Sequence, residues 1–208
     1  METLDLKKQL KWLYAPSARQ VELVDVPAFN FLKIDGAIEP GAMPGASPSF
    51  QQAVGALYGA AYTLKFAHKQ RKVDPLDYPV MALEGLWWVE DGHFDIRVGG
   101  NWKYTLMILT PEAVTQSAFG EALDALDRKK PNPANRRLRL EHYAEGRAVQ
   151  VLHLGPYATE PATVDRLEAF AHEHGLRMAG LHHEIYLGDP LRADPAKLKT
   201  ILRHPVEA

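Results

Sequence analysis

Cysteine is absent from the 208-residue chain, which excludes disulfides, thiol nucleophiles and cysteine-based zinc sites together. No charge of one sign dominates. Against 26 acidic residues stand 24 basic ones, for a formal net charge of -2, so nothing draws the chain as a whole onto a polyanion through counterion release. Long apolar runs are missing too: the N-terminal METLDLKKQLKWLYAPSA is charged and reads as neither a signal peptide nor a membrane span. GAIEPGAMPG lacks the GK[ST] ending of a phosphate loop, and no G-x-S-x-G elbow occurs. The nine histidines show no ligand spacing. His182 and His183 are neighbours on a strand and point to opposite faces, and HHE lacks the helical period of H-E-x-x-H. These absences leave a cytoplasmic protein with no metal or organic cofactor, no nucleic-acid partner and no membrane attachment as the simplest expectation.

What is present is an ordinary globular composition, 46% hydrophobic and 24% charged, enough for a sizeable core in one domain. Leu4, Leu6, Leu10 and Leu13 predict a short N-terminal helix over 4–14 that stops before Pro16. VELVDV and FNFLKI, separated by Pro27 and Ala28, have hairpin-like spacing. A Gly/Pro/Ser-rich loop follows. Phe50, Val54, Leu57, Ala61 and Leu64 then recur at helical spacing, with Tyr58, Tyr62 and Phe66 on an adjacent stripe. Strands are expected over 79–90 and 102–109. Thr110 and Pro111 open a helix to about Lys130, and Pro131 and Pro133 end it.

After PNPANRR the same order returns. LRLEHY and RAVQVLHLG read as strands, 161–174 as a helix, LHHEIYLG as a strand, and KTILRHPV as one more. Aligning IDGAI with HLGPY gives both halves the order strand, strand, Gly turn, helix, strand, and matches Glu84 to Glu184. The resulting expectation is an α+β fold, a single domain of two pseudo-symmetric ββαβ-type repeats, about 19–130 and about 136–208. They would form an antiparallel sheet with helices on one face and a ligand cleft on the other.

Strand alternation puts Glu84, Leu86 and Trp88 on one face and Leu83, Trp87 and Val89 on the other. Both faces are apolar, so Glu84 reads as part of a cavity wall, with Trp88 its aromatic neighbour and Trp87 the core residue unless a bulge shifts the register. Glu184 shares its face with His182 and Tyr186. By periodicity it is either a surface or ion-paired residue or a cleft carboxylate. Glu84 is either its partner in catalysis or the acceptor for a nearby cation or tyrosine hydroxyl. Tyr58, Tyr62, Trp102 and Tyr104 read either as packing residues or as tyrosines and tryptophans at a polar cleft edge. Tyr157, after Gly155 and Pro156, is either a rim or a cap.

Six segments, DLKKQLKWLY, AAYTLKFAHK, LEGLWWVEDGHFD, NWKYTLMI, HLGPY and HHEIYLGDP, carry a resemblance that spans nearly the whole chain. It resembles the GyrI-like small-molecule-binding proteins of the SOUL/BRE-regulator fold, and within them the stand-alone bacterial branch that includes cyclopropanoid hydrolases. The resemblance implies a two-repeat cleft in which aromatic rings enclose a flat apolar or cationic ligand. Its central Glu matches Glu184. For function it implies binding of such a xenobiotic and water addition across a strained cyclopropane, with Glu184 as base, aided by Glu84, and with Trp88, Tyr58, Tyr62, Trp102, Tyr104, Tyr186, Tyr157 and His182 around the ligand. The alternative is a sensor or sink for aromatic drugs with no chemistry of its own. Oligomeric state has no signature in the sequence.

Overall fold

A computed structural model describes residues 2–188 and 193–208; Asp189 and Pro190 of the HHEIYLGDP segment therefore lie outside the described residues. In chain order the elements are β1 (Glu2–Thr3), α1 (Leu6–Gln9), α2 (Lys11–Tyr14), β2 (Glu22–Ala37), α3 (Pro48–Lys69), β3 (Leu76–Asp77), β4 (Leu83–Trp88), β5 (Lys103–Thr110), α4 (Gln116–Lys129), β6 (Arg139–Leu154), α5 (Glu160–Glu173), β7 (Arg177–Met178), β8 (His182–Tyr186) and β9 (Lys199–Glu207). The main sheet runs β6-β2-β5-β4-β8-β9-β7, and β6 also pairs with β9. An antiparallel sheet thus closes into a barrel, with β7 on its margin and helices outside.

Closure depends on two long strands where hairpins were expected. VELVDV and FNFLKI are one strand, β2, and LRLEHY and RAVQVLHLG are one strand, β6. Their mutual ladder passes from Val26 opposite Gly146 to Ala28 opposite Ala144 and skips Pro27 and Glu145. Proline has no N–H to give a ladder, and Gly146 takes a φ of 75°, so the pair bends here instead of turning back. Beyond the bend, residues 148–154 of β6 are free to meet β9.

The N-terminal segment also differs from one continuous helix. It forms two single turns that break at Leu10. The second turn ends at Tyr14, so the Trp12 and Leu13 carbonyls have no donor within the helix, and they accept hydrogen bonds from Gln150 and Arg203, 2.9 Å each. Similarly, α4 begins at the Thr115 cap and not at Thr110, because the Thr110 hydroxyl is spent on the Asn30 carbonyl of the neighbouring strand.

Helix α3 buries Phe50, Ala53, Leu57, Ala60 and Leu64, spaced alternately three and four apart, so one stripe meets the sheet. Its alanines let the helix axis approach Leu32, Ile34, Leu106 and Ile108 closely. Helix α5 does the same with Val164, Leu167 and Ala171 over Val149, Val151 and Leu202, and these form a separate core. Between the two cores runs a polar seam on the helix-covered face of the sheet.

Candidate functional site

Three side chains of β8 open onto that seam. His182, Glu184 and Tyr186 alternate onto one face, and Glu184 lies opposite Gly85 of β4 and Leu202 of β9. Gly85 matters because a Cβ there would meet the Trp87 indole nitrogen at 2.8 Å and the Tyr186 hydroxyl at 3.2 Å. The missing side chain leaves room for the Trp87 Nε1–H to donate to the Tyr186 hydroxyl at 2.9 Å. Glu184 is only 7% exposed. His182 Nε2 is 3.2 Å from its Oε1, a contact in which the ring donates when that nitrogen carries the proton. Burial, then the Glu184 charge and a hydrogen-bonding contact with that carboxylate, push the Tyr186 hydroxyl well above its usual pKa. It is therefore a donor, not an anion, at neutral pH.

Aromatic rings wall this carboxylate. Trp87 packs between Phe50 and Trp102, and Tyr157 sets its ring edge-on to Tyr186 with 6.1 Å between centroids. Phe94, from the segment between β4 and β5, stacks on His182 at 5.4 Å and tilts against Trp102 at 5.2 Å. The segment is tied across the seam: Trp102 Nε1 donates to the Val98 carbonyl at 2.9 Å, and Arg97 pairs with Asp165 of α5. Ile96 touches both cores. Burial holds His204, which lies beside His182, and His153, on which the Glu184 charge acts, below the ordinary histidine range, so both rings are neutral.

The expected site residues divide. Glu184, His182, Tyr186, Trp102 and Tyr157 come together. Tyr104 lies beneath them as core, its ring 5.2 Å from Phe50 and directly over Gly36, where a Cβ would be 2.3 Å from the phenol. Tyr58 and Tyr62 stack in a ladder with Phe66 along α3, and Tyr62 is 48% exposed, on the outer stripe. Trp87, and not Trp88, is the tryptophan beside Glu184; Trp88 shares the opposite face with Glu84, as alternation requires. The expected cleft on the face away from the helices is corrected in the same way: Glu184 faces the helices.

Glu84 belongs to a different network, inside the barrel. It accepts from the Tyr14 hydroxyl, and His183 Nε2 lies 3.0 Å from it. His183 Nδ1 is 3.0 Å from Glu145, which Arg203 contacts at 3.1 Å. A cavity of about 10 Å³ borders these groups, room for about one water. Glu84 is thus on the wrong side of the sheet to assist Glu184. Among the described residues no group of three His, Asp or Glu side chains is placed to hold a metal, and no helix is long and apolar enough to cross a membrane.

Sequence reasoning missed three contributors to the seam: Trp87, Phe94 and Glu160. Glu160, the first residue of α5, is 1% exposed and its Oε1 has no hydrogen-bond partner among the described residues. A glutamate at a helix start ordinarily reads as a solvated group facing the dipole, so only tertiary placement exposes its role.

Known proteins agree with this architecture. A family model for the GyrI-like small molecule binding domain matches residues 19–207. An uncharacterized conserved protein from Listeria innocua is 38% identical over 98% of this chain and 100% of its own, with a TM-score of 0.88. A hydrolase from the same organism is 36% identical over 99% of this chain and 100% of its own, TM-score 0.86. A second Listeria innocua structure described as a hydrolase is 35% identical over 98% and 100%, TM-score 0.83. No curated protein sequence matches.

Proposed function

The chain belongs to the GyrI-like small-molecule-binding family, and from that premise we propose that it hydrolyses electrophilic cyclopropanoid xenobiotics at Glu184. The observation that carries this reading is a buried carboxylate opposite a glycine, touched by an imidazole and a tyrosine hydroxyl and walled by aromatic rings. The hydrolase descriptions of two relatives more than a third identical support the reaction class.

In this reading the rings of Trp87, Trp102, Phe94, Tyr157 and Tyr186 hold a flat substrate with its strained ring against Glu184, the proximity contribution. Glu184 takes a proton from water as the water oxygen bonds to a ring carbon. The cyclopropane C–C bond breaks and its electron pair moves into the conjugated carbonyl. Hydrogen-bond donors aimed at that oxygen stabilise the charge, and Glu84 has no part in the step. Two pseudo-symmetric repeats within one domain remain our reading of the halves, supported by the separate helix that each core places over a shared sheet.

The test is ring opening of a spiro-cyclopropyl dienone by the purified protein in heavy-oxygen water. Incorporation of one labelled oxygen at the opened carbon is expected. A second reading, a receptor without chemistry, draws on the same buried carboxylate, which suits a cationic aromatic ligand; tight binding with no labelled product would favour it.

A further inference from the structure

On the Glu184 side of the sheet, Glu160 is a buried carboxyl group that the reading above does not use. It enters the seam from the first turn of α5 and acts on Glu184 across it. Two carboxyl groups in one water-poor site do not both ionise readily. The hydrogen-bond donors decide which carries the charge. Glu184 has two, the His182 ring and the Tyr186 hydroxyl. Glu160 has the Thr200 hydroxyl, which can equally accept a proton, and a bare Oε1. No cation is among the groups acting on it.

We propose that Glu160 is the second working carboxyl group of the site, a neutral acid facing Glu184 that gives its proton to the substrate oxygen on which charge collects as the strained ring opens. This rests on the hydrolase reading and assigns the half of the reaction that Glu184 leaves open. The balance closes. Glu184 gains the proton that water loses, the water oxygen bonds to carbon, the ring C–C pair reaches the carbonyl oxygen, and the Glu160 proton converts that oxygen to a phenol. Proton exchange with solvent then restores both carboxyl groups. Burial first, and the Glu184 charge second, hold Glu160 far above the ordinary carboxyl range, to about 9, so the acid form is present at neutral pH. The titratable groups that act with it are Glu184 and Tyr186 from β8; His153 of β6 lies opposite Thr200 in the ladder, and His204 of β9 lies beside His182. His153 and His204 titrate below the neutral range and Tyr186 above its ordinary value.

Glu160→Gln is the informative variant, because an amide reproduces the shape and charge of the neutral acid without its proton. With a spiro-cyclopropyl dienone as substrate, kcat is expected to fall by about 10²-fold or more, with KM unchanged. The alkaline limb of the wild-type kcat/KM profile should disappear. A nitro-substituted substrate, whose phenol product needs no proton to leave, should recover most of the loss. Infrared difference spectra of wild type against Glu160→Gln at neutral pH should carry the carbonyl stretch of a carboxylic acid. Absence of that band overturns the proposal whatever the kinetics. Wild-type turnover in Glu160→Gln, with turnover abolished in Glu184→Gln, would sink this assignment and leave the hydrolase reading standing. A wild type without turnover would take both down.

Discussion

Trp87 and Tyr186 come from adjacent strands, 99 positions apart, and are joined by an indole-to-hydroxyl hydrogen bond of 2.9 Å over Gly85. The bond fixes the direction of the phenol: its oxygen accepts from the indole, so its own proton is left for Glu184. Tyr186→Phe removes the acceptor and strands a buried N–H. The cost should be about 1–3 kcal/mol of stability, read as a lowered urea midpoint with an unchanged slope. An unchanged midpoint would mean that Trp87 finds another partner.

Gly85→Ala tests whether space above Glu184 is functional. The new methyl would press on the Trp87 indole and the Tyr186 hydroxyl, so these groups must shift into the seam. Ligand affinity should drop by at least about tenfold, equivalent to about 1.4 kcal/mol, as read by tryptophan quenching. Retained affinity would show that ligand does not occupy the space over Gly85.

Inside the barrel, His183 should set the alkaline stability of the protein. Burial opposes its charge, but the Glu145 and then the Glu84 carboxylates outweigh burial and hold it up at about 9, against 6.5 for the free side chain. A folded-state pKa above the unfolded one gives a stabilisation fully present below about 6.5 and lost as pH rises through about 9. Glu145 has the opposite sign. Burial alone would raise it, yet His183 and Arg203 hold it at about 2, so its contribution is present above about 4.5 and lost as pH falls through about 2. Urea midpoints should therefore decline from neutral to alkaline pH in wild type, and not in His183→Gln. That variant should also lose about 3–5 kcal/mol by leaving buried carboxylates uncompensated. Parallel pH profiles would contradict the account.

Arg97 and Asp165 are both well exposed, so their pair should add little to stability. Its role is to hold the segment carrying Phe94 across the seam. Arg97→Ala should leave the thermal midpoint within about a degree or two, as a change below 0.5 kcal/mol implies, while ligand dissociation accelerates severalfold in stopped-flow measurements. A dissociation rate equal to wild type would show that the segment does not retain ligand.

Much of the fold was legible because helical spacing marks a buried stripe: Phe50, Leu57 and Leu64 are core as their spacing requires, and the helix expected over 161–174 is α5. The β8 face was legible for the same reason, since His182, Glu184 and Tyr186 alternate. Barrel closure was not. Pro27 reads locally as a turn signal, and only its place in the ladder, skipped together with Glu145 between Val26–Gly146 and Ala28–Ala144, makes one bent strand of two expected ones on each side. Which face of β4 meets Glu184 was equally hidden, because both faces of LEGLWW are apolar and the register with β8 decides between Trp87 and Trp88. Glu145 and Arg203 became a buried pair only through the bend and the closing strand.

The central claim is that Glu184 activates water. Its most direct test is turnover of a cyclopropanoid electrophile by Glu184→Gln, with binding measured on the same preparation. The account requires kcat to fall by about 10²–10⁴-fold while the variant still binds substrate. Full turnover with binding intact would contradict it and leave Glu184 as a recognition residue.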